Sequence, residues 1–286
     1  MMPSTNQTNG LLGYPADARL LIINTDDFGM SHSINEAVIE TIRHGAASSC
    51  TLMVPCPWAL HAMHLLRENP DIAFGVHLTA VSEAIYYRWG PVVSKEKVPS
   101  LVDEAGYFYS EPRIPEFLAQ VNLAELELEF RAQIEAVLAA GLKPTHIDSH
   151  CGINTRDEAV FEMTFGLARE YGLAMRVGPP PLIEKIKRQG LPVLDYELLD
   201  SYEVETGAKP DYYFRGLRRL PPGLSEWAIH PSLTTGELKA IGNNWPVRQA
   251  DYEFLMSPET REIIAQEGII VLNYKPLQEV WQRQGV

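Results

Sequence analysis

The sequence predicts an α/β protein built on a parallel sheet, open or closed into a barrel, and three observations carry that expectation. Residues 20–23 form a continuous apolar run, Leu-Leu-Ile-Ile, which suits a parallel strand buried on both faces. About seven strand-like runs alternate with segments of helical spacing, without an internal repeat or a low-complexity linker. Several of those runs end in His or Asp, and the C-terminal ends of parallel strands are where such folds place their chemistry.

Taken in order, the first strand stops at Asn24-Thr25-Asp26-Asp27. Ser33 with Glu36 makes a capping-box pattern, and Ile34, Ala37, Val38, Thr41 and Ile42 follow at helical spacing before Gly45 ends the helix. A strand at 49–54, a helix from about 57 to 68 and a strand at 72–78 complete the first third. Residues 79–114 hold Gly, Pro and aromatic residues without a sustained period, which predicts a structured, functional insertion. Asn122 can cap a helix reaching Ala140, with Leu126, Phe130, Ile134, Val137 and Leu138 on one face. A strand at 145–149, a helix at 158–171 and a strand at 174–177 follow. Residues 178–224 are Pro-rich and read as a second long loop with a short helix at 182–188. A strand at 226–230, helical stretches within 248–266 and a strand at 269–273 end the chain. Residues 1–17, polar and without the basic and apolar regions of a signal peptide, read as a flexible tail, leaving 18–286 as one domain.

With 37 acidic against 24 basic residues, the net charge is −13, and no basic run exists to track a nucleic-acid backbone. Hydrophobic residues at 45% with 21% charged describe a folded chain and exclude general disorder. No apolar stretch approaches the roughly 20 residues that cross a bilayer, so no membrane partner is expected. Three cysteines, Cys50, Cys56 and Cys151, cannot pair completely and have no metal-ribbon or redox spacing, which favours a reducing, cytoplasmic setting.

Four places share one pattern, a strand ending where a His or Asp appears. They are Asp26-Asp27, His77, the alternating set His146, Asp148 and His150, and His230. Adjacent carboxylates suit metal-assisted hydrolysis, one as ligand and the other accepting a proton from the bound water. Ideal β geometry points neighbours apart, so the chain must already be turning at Asp26-Asp27, as Phe28-Gly29 permits. His146, Asp148 and His150 fall on one face of a strand, with His150 best placed to reach a metal and Asp148 to orient a neighbour. Asp and His donors could hold Zn²⁺, Mn²⁺ or Fe²⁺, imidazoles favouring zinc and Mg²⁺ preferring all-oxygen shells. His32, His44, His61 and His64 lie on or beside helices without a visible partner and are left out. No serine-hydrolase elbow, dinucleotide fingerprint or phosphate loop is present. Cys151, beside His150, reads as a small residue near the site. In the insertion, Tyr86, Tyr87, Arg88 and Trp89 are candidates for a substrate wall, because the segment directly follows His77; the other reading is an insertion that covers the barrel or joins subunits.

At these residues the sequence resembles the YdjC-like carbohydrate deacetylases. The resemblance runs from Leu20 to about Leu277 and rests on Thr25-Asp26-Asp27-Phe28-Gly29, Gly75-Val76-His77-Leu78-Thr79, His146-Ile147-Asp148-Ser149-His150 and His230-Pro231. It implies a distorted (β/α) barrel, one divalent metal ion, Mg²⁺ or Zn²⁺, and hydrolysis of an N-acetyl group on a small carbohydrate or oligosaccharide. It assigns Asp27, His77 and His150 as metal ligands, Asp26 as general base and His230 as the second acid/base group. Beside that assignment, their strand positions make Asp148 and His146 supporting residues, and their place in the insertion puts Arg88 and Trp89 toward the substrate. A homodimer is compatible with this reading. After His150 the chitooligosaccharide branch continues with further histidines, whereas this chain has Cys151-Gly152-Ile153-Asn154, so diacetylchitobiose does not transfer as substrate. The other readings are hydrolysis of another amide or ester, and a silent carbohydrate-binding protein on the same scaffold.

Overall fold

The computed structural model describes residues 7–284. Ten strands are present among them: β1 (Arg19–Phe28), β2 (Ser49–Leu52), β3 (Phe74–Leu78), β4 (Val81–Ser82), β5 (Tyr109–Ser110), β6 (His146–Ser149), β7 (Ala174–Met175), β8 (Leu199–Asp200), β9 (Gly223–Ile229) and β10 (Ile270–Leu272). Eight make one sheet in the order β7-β6-β3-β2-β1-β9-β8, with β10 beside the first half of β1. Every pairing is parallel. The sheet curls into a half-barrel clothed by helices, the distorted barrel that the resemblance implies. β4 and β5 form a separate two-stranded ribbon within the insertion.

β1 is the central staff because its side chains are buried from Leu20 through Phe28. Alternation along it divides the core. Leu20 and Ile22 join the larger apolar cluster, while Leu21 and Ile23 pack with Tyr213, Leu217, Trp227 and Phe254. Burying each such aliphatic chain contributes about 1.5–3 kcal/mol.

Three local expectations differ from the structure. The helix His32–His44 is capped by Ser31, whose Oγ accepts from the Ile34 N–H, and Ser33 lies inside the first turn. Ser31 has the extended backbone that a capping residue needs. Within the expected tail, Gln7–Leu11 is helical. There Thr8 Oγ1 donates to the Val193 carbonyl at 2.6 Å, and Asn9 Nδ2 donates to the carbonyls of Pro15 and Ala18. Residues 1–6 lie outside the described residues. The 178–224 segment is not one long loop, since it holds helix Pro180–Lys187, β8 and helix Lys209–Arg218. The last of these hides its pattern because its inner face carries Lys209, fully buried against Asp251 at 2.7 Å. No helix among the described residues is long and apolar enough to cross a membrane.

Candidate active site

Both carboxylates of Asp26-Asp27 reach one cavity because β1 bulges there. The pairing of β1 with β2 shifts register between Thr25 and Phe28, and Asp27 adopts a left-handed backbone with φ of 67°. Gly29 continues the turn at φ of 99°, where a Cβ would lie 3.1 Å from the Met53 carbonyl oxygen. The turn inferred from the sequence is therefore present, inside the strand. A cavity of about 740 Å³ opens over it.

β3 and β6 place His77 opposite Asp148 and Gly75 opposite His146. His77 Nδ1 donates to Asp148 Oδ1 at 2.7 Å, which leaves the Nε2 lone pair facing Asp27 Oδ1 at 3.6 Å. His150 Nδ1 lies 3.3 Å from the same oxygen. That oxygen is buried and has no hydrogen-bond partner. One ligand atom from each of Asp27, His77 and His150 falls within 4.8 Å of the others, a group that could hold a metal ion. A lone pair and a carboxylate oxygen facing each other in a buried site are complementary to a cation between them, so the donor set fits a divalent ion.

The other Asp27 oxygen is taken. Arg248, wholly buried on helix Trp245–Met256, donates to Oδ2 at 2.6 Å and to Glu83 at 3.1 Å. Arg176, just beyond β7, grips both oxygens of Asp26 at 2.8 and 2.7 Å, pairs with Asp148 and lies 3.4 Å from Glu226. Burial alone would raise the Asp26 pKa, but Arg176, His77 and His230 together outweigh it and hold the carboxyl well below the usual range. For Asp27, burial is likewise outweighed, chiefly by Arg248. His230 Nε2 stands 3.9 Å from Asp26 Oδ2 at the cavity wall, its backbone N–H held by Asp251 at 2.9 Å. Asp26, Asp27, Asp148 and Glu83 thus face only two guanidinium groups, an excess of negative charge that favours a bound cation.

His146 shares the β6 face but sits on the floor. Its ring stacks on Tyr274 with centroids 3.6 Å apart and covers Gly75, where a Cβ would meet the ring at 2.6 Å. Burial pushes its pKa down to about 3, so it is a neutral packing residue below the metal-ligand group. Beneath Arg176, Glu226 accepts from the Tyr274 hydroxyl, and burial raises its pKa to about 7. Its folded value is raised above 4.5, so the native state keeps a proton that the unfolded chain loses as pH climbs from about 4.5 to 7. Stability should fall across that window by at most about 3 kcal/mol. In metal-free protein, Glu226→Gln is expected to gain melting temperature relative to wild type between pH 5 and pH 8. A pH-independent difference would contradict the raised value.

Cys151 borders the cavity, half-buried with φ of 53°; burial raises its thiol pKa despite the opposing pull of His150. Arg88 and Trp89 are not brought to the cavity. Trp89 is buried, donates through Nε1 to the Val81 carbonyl and packs edge-on to His150 at 6.1 Å. Arg88 turns to Asp103 and the Phe108 carbonyl. The insertion instead reaches the cavity through Glu83 and Glu111. Trp89→Ala is therefore expected to destabilise the fold by about 3–5 kcal/mol, read by denaturant melts. A raised KM with an unchanged melt would return Trp89 to the substrate wall. His32, Glu36 and His61 form a second, surface group. There Asn35 Nδ2, its orientation fixed by Gly29 N and the Trp58 carbonyl, donates to His61 Nδ1, which leaves the other His61 nitrogen to carry its proton toward Glu36.

Sequence reasoning missed Arg176, Glu226 and Arg248. Arg176 ends a strand like the residues that were found, so extending the strand-end rule to guanidinium groups would have exposed it. Arg248 sits on a helix without any local signal.

The profile of the YdjC-like protein family matches residues 20–266. This chain belongs to the YdjC-like family. A carbohydrate deacetylase of Thermus thermophilus is 34% identical over 259 residues, covering 87% of this chain and 90% of that protein. Another from Enterococcus faecalis is 31% identical over 262 residues, 90% and 97% of the two chains. A crystal structure from Enterococcus faecalis V583, whose description names cellobiose-phosphate cleavage, superimposes with a TM-score of 0.78 at 30% identity, covering 91% of this chain and 99% of that one.

Proposed function

We propose that this YdjC-like chain is a hydrolase that removes an N-acetyl group from a carbohydrate, acting as one barrel domain over 18–286 with a divalent ion held by Asp27, His77 and His150. The observation that carries this reading is the convergence of Asp26, Asp27, His77, His150 and His230, drawn from four strand ends, on one cavity. The relatives named as carbohydrate deacetylases support the amide and sugar chemistry.

A bound divalent ion supplies polarisation of the acetamido carbonyl and a water of lowered pKa. Asp148 holds the His77 ring in the tautomer that presents Nε2. Arg248 occupies Asp27 Oδ2 and so reserves Oδ1 for the ion. Asp26, kept ionised by Arg176, accepts the proton of the attacking water. His230, beside Asp26 and open to the cavity, donates a proton to the departing amine. The outer wall carries Glu111, Glu197, Asp200 and Glu203 against Arg156, a field that favours neutral or amine-bearing sugars over phosphorylated ones.

Acetate release across N-acetylated mono- and oligosaccharides, run with several divalent ions, tests the reading. Equal yields of acetate and free amine are expected, with phosphorylated counterparts at least about ten-fold slower. Absence of acetate from every sugar with every ion would overturn the assignment.

A further inference from the structure

Asn154 is 2% exposed, lines the cavity and has an amide nitrogen without a hydrogen-bond partner. It lies one turn after His150, where left-handed Cys151 and Gly152 fold the chain back. Its orientation is fixed by a closed pair of bonds. The Asn154 N–H donates to Ser149 Oγ at 3.0 Å, and that hydroxyl, already accepting, donates its own proton to Asn154 Oδ1 at 2.6 Å. The oxygen of the carboxamide is thereby spent on Ser149, and the NH₂ group is left unpartnered on a residue that lines the cavity. A buried donor without an acceptor costs free energy, so an oriented and unpaired one in a site points to a ligand oxygen that completes it.

We infer that Asn154 is a substrate-binding residue, donating from Nδ2 to a hydroxyl oxygen of the bound sugar. The inference rests on the carbohydrate reading above and adds a recognition contact to it. Asn154 Nδ2 is a donor only, so it selects an acceptor oxygen and contributes nothing toward an ammonium or an apolar group. Because its geometry is set before the sugar arrives, little rotamer freedom is lost on binding. Ser149 is a positioning residue: its hydroxyl, accepting from the Asn154 N–H and donating to Asn154 Oδ1, holds the carboxamide in place.

Calorimetric titration of metal-loaded protein with a panel of N-acetylated mono- and oligosaccharides tests this, using the tightest-bound member. Asn154→Ala and Asn154→Leu are each expected to weaken that affinity by about ten-fold or more, since each removes the donor and offers the sugar hydroxyl no polar group in its place. Metal content and melting temperature should stay near wild type, and Ser149→Ala should give a smaller loss of affinity. An affinity within two-fold of wild type in both Asn154 variants would overturn the contact and assign the donor to a bridging water. Failure of the wild type to bind any panel member would overturn the contact together with the carbohydrate reading. Binding without acetate release would leave the contact to stand on the affinity ratio while rejecting the deacetylase.

Discussion

Ala in place of Asp27, His77 or His150 is expected to strip the metal and to lower kcat/KM by more than about 1,000-fold, because each supplies one of the few donors able to bind the ion. The three should differ in stability. Asp27→Ala leaves the wholly buried Arg248 facing only Glu83, and a buried charge stripped of its partner costs about 3–5 kcal/mol. His77→Ala leaves Asp148 still paired with Arg176, and His150→Ala leaves a gap beside Trp89, so both should keep more of the wild-type melting temperature. Asp27→Asn retains an acceptor for Arg248 and separates the two effects: metal lost, fold kept. Asp148→Asn, at a residue that orients His77 and also pairs with Arg176, should weaken metal affinity by about 10–100-fold. Metal stoichiometry by elemental analysis, beside acetate release and thermal melts, reads all of these. Full stoichiometry in the three Ala variants would remove the metal from this position.

What was legible in the sequence follows from which forces act locally. The apolar run at Leu20–Ile23 announces a doubly buried strand because both faces of a parallel sheet are covered, and the polar residues that interrupt it mark where the strand reaches the cavity. Asp26, Asp27, His77, His150 and His230 could be gathered from their strand ends because a parallel sheet brings those ends to one side. The groups that tune them could not. Arg248 and Glu226 act through partners 221 and 50 residues away, and no local period encodes such a pairing. Short strands such as β8, two residues long, and helices with a buried ion pair such as Lys209–Asp251 also escape, because their stability comes from tertiary contacts. Trp89 misled for a related reason. An aromatic residue in an insertion is the same letter whether it stacks on a sugar or closes the core, and the hydrogen bond from its indole to Val81 decided for the core.

Asp26→Asn is expected to lower kcat by about 100- to 10,000-fold while leaving the metal bound, since the amide matches the carboxylate in shape but cannot take a proton. The local environment sharpens the test. Arg176 donates to both Asp26 oxygens, and Asn24 and Thr51 add bonds to Oδ1, so an amide there keeps most of its acceptor contacts and sets one N–H₂ against the guanidinium. The depressed pKa means that wild-type Asp26 is ionised over the whole assay range, so the substitution should lower the pH–activity profile throughout instead of moving its acid limb. Stability carries an independent sign. A carboxyl whose folded pKa lies below the ordinary 3.8 stabilises the native state above that value and loses its contribution as pH falls toward the folded pKa. The wild type should therefore melt above Asp26→Asn at neutral pH, with the gap closing below about pH 4. Turnover within a few-fold of wild type, with that stability gap intact, would make the Asp26–Arg176 pair a structural brace and move the base to another residue of the cavity.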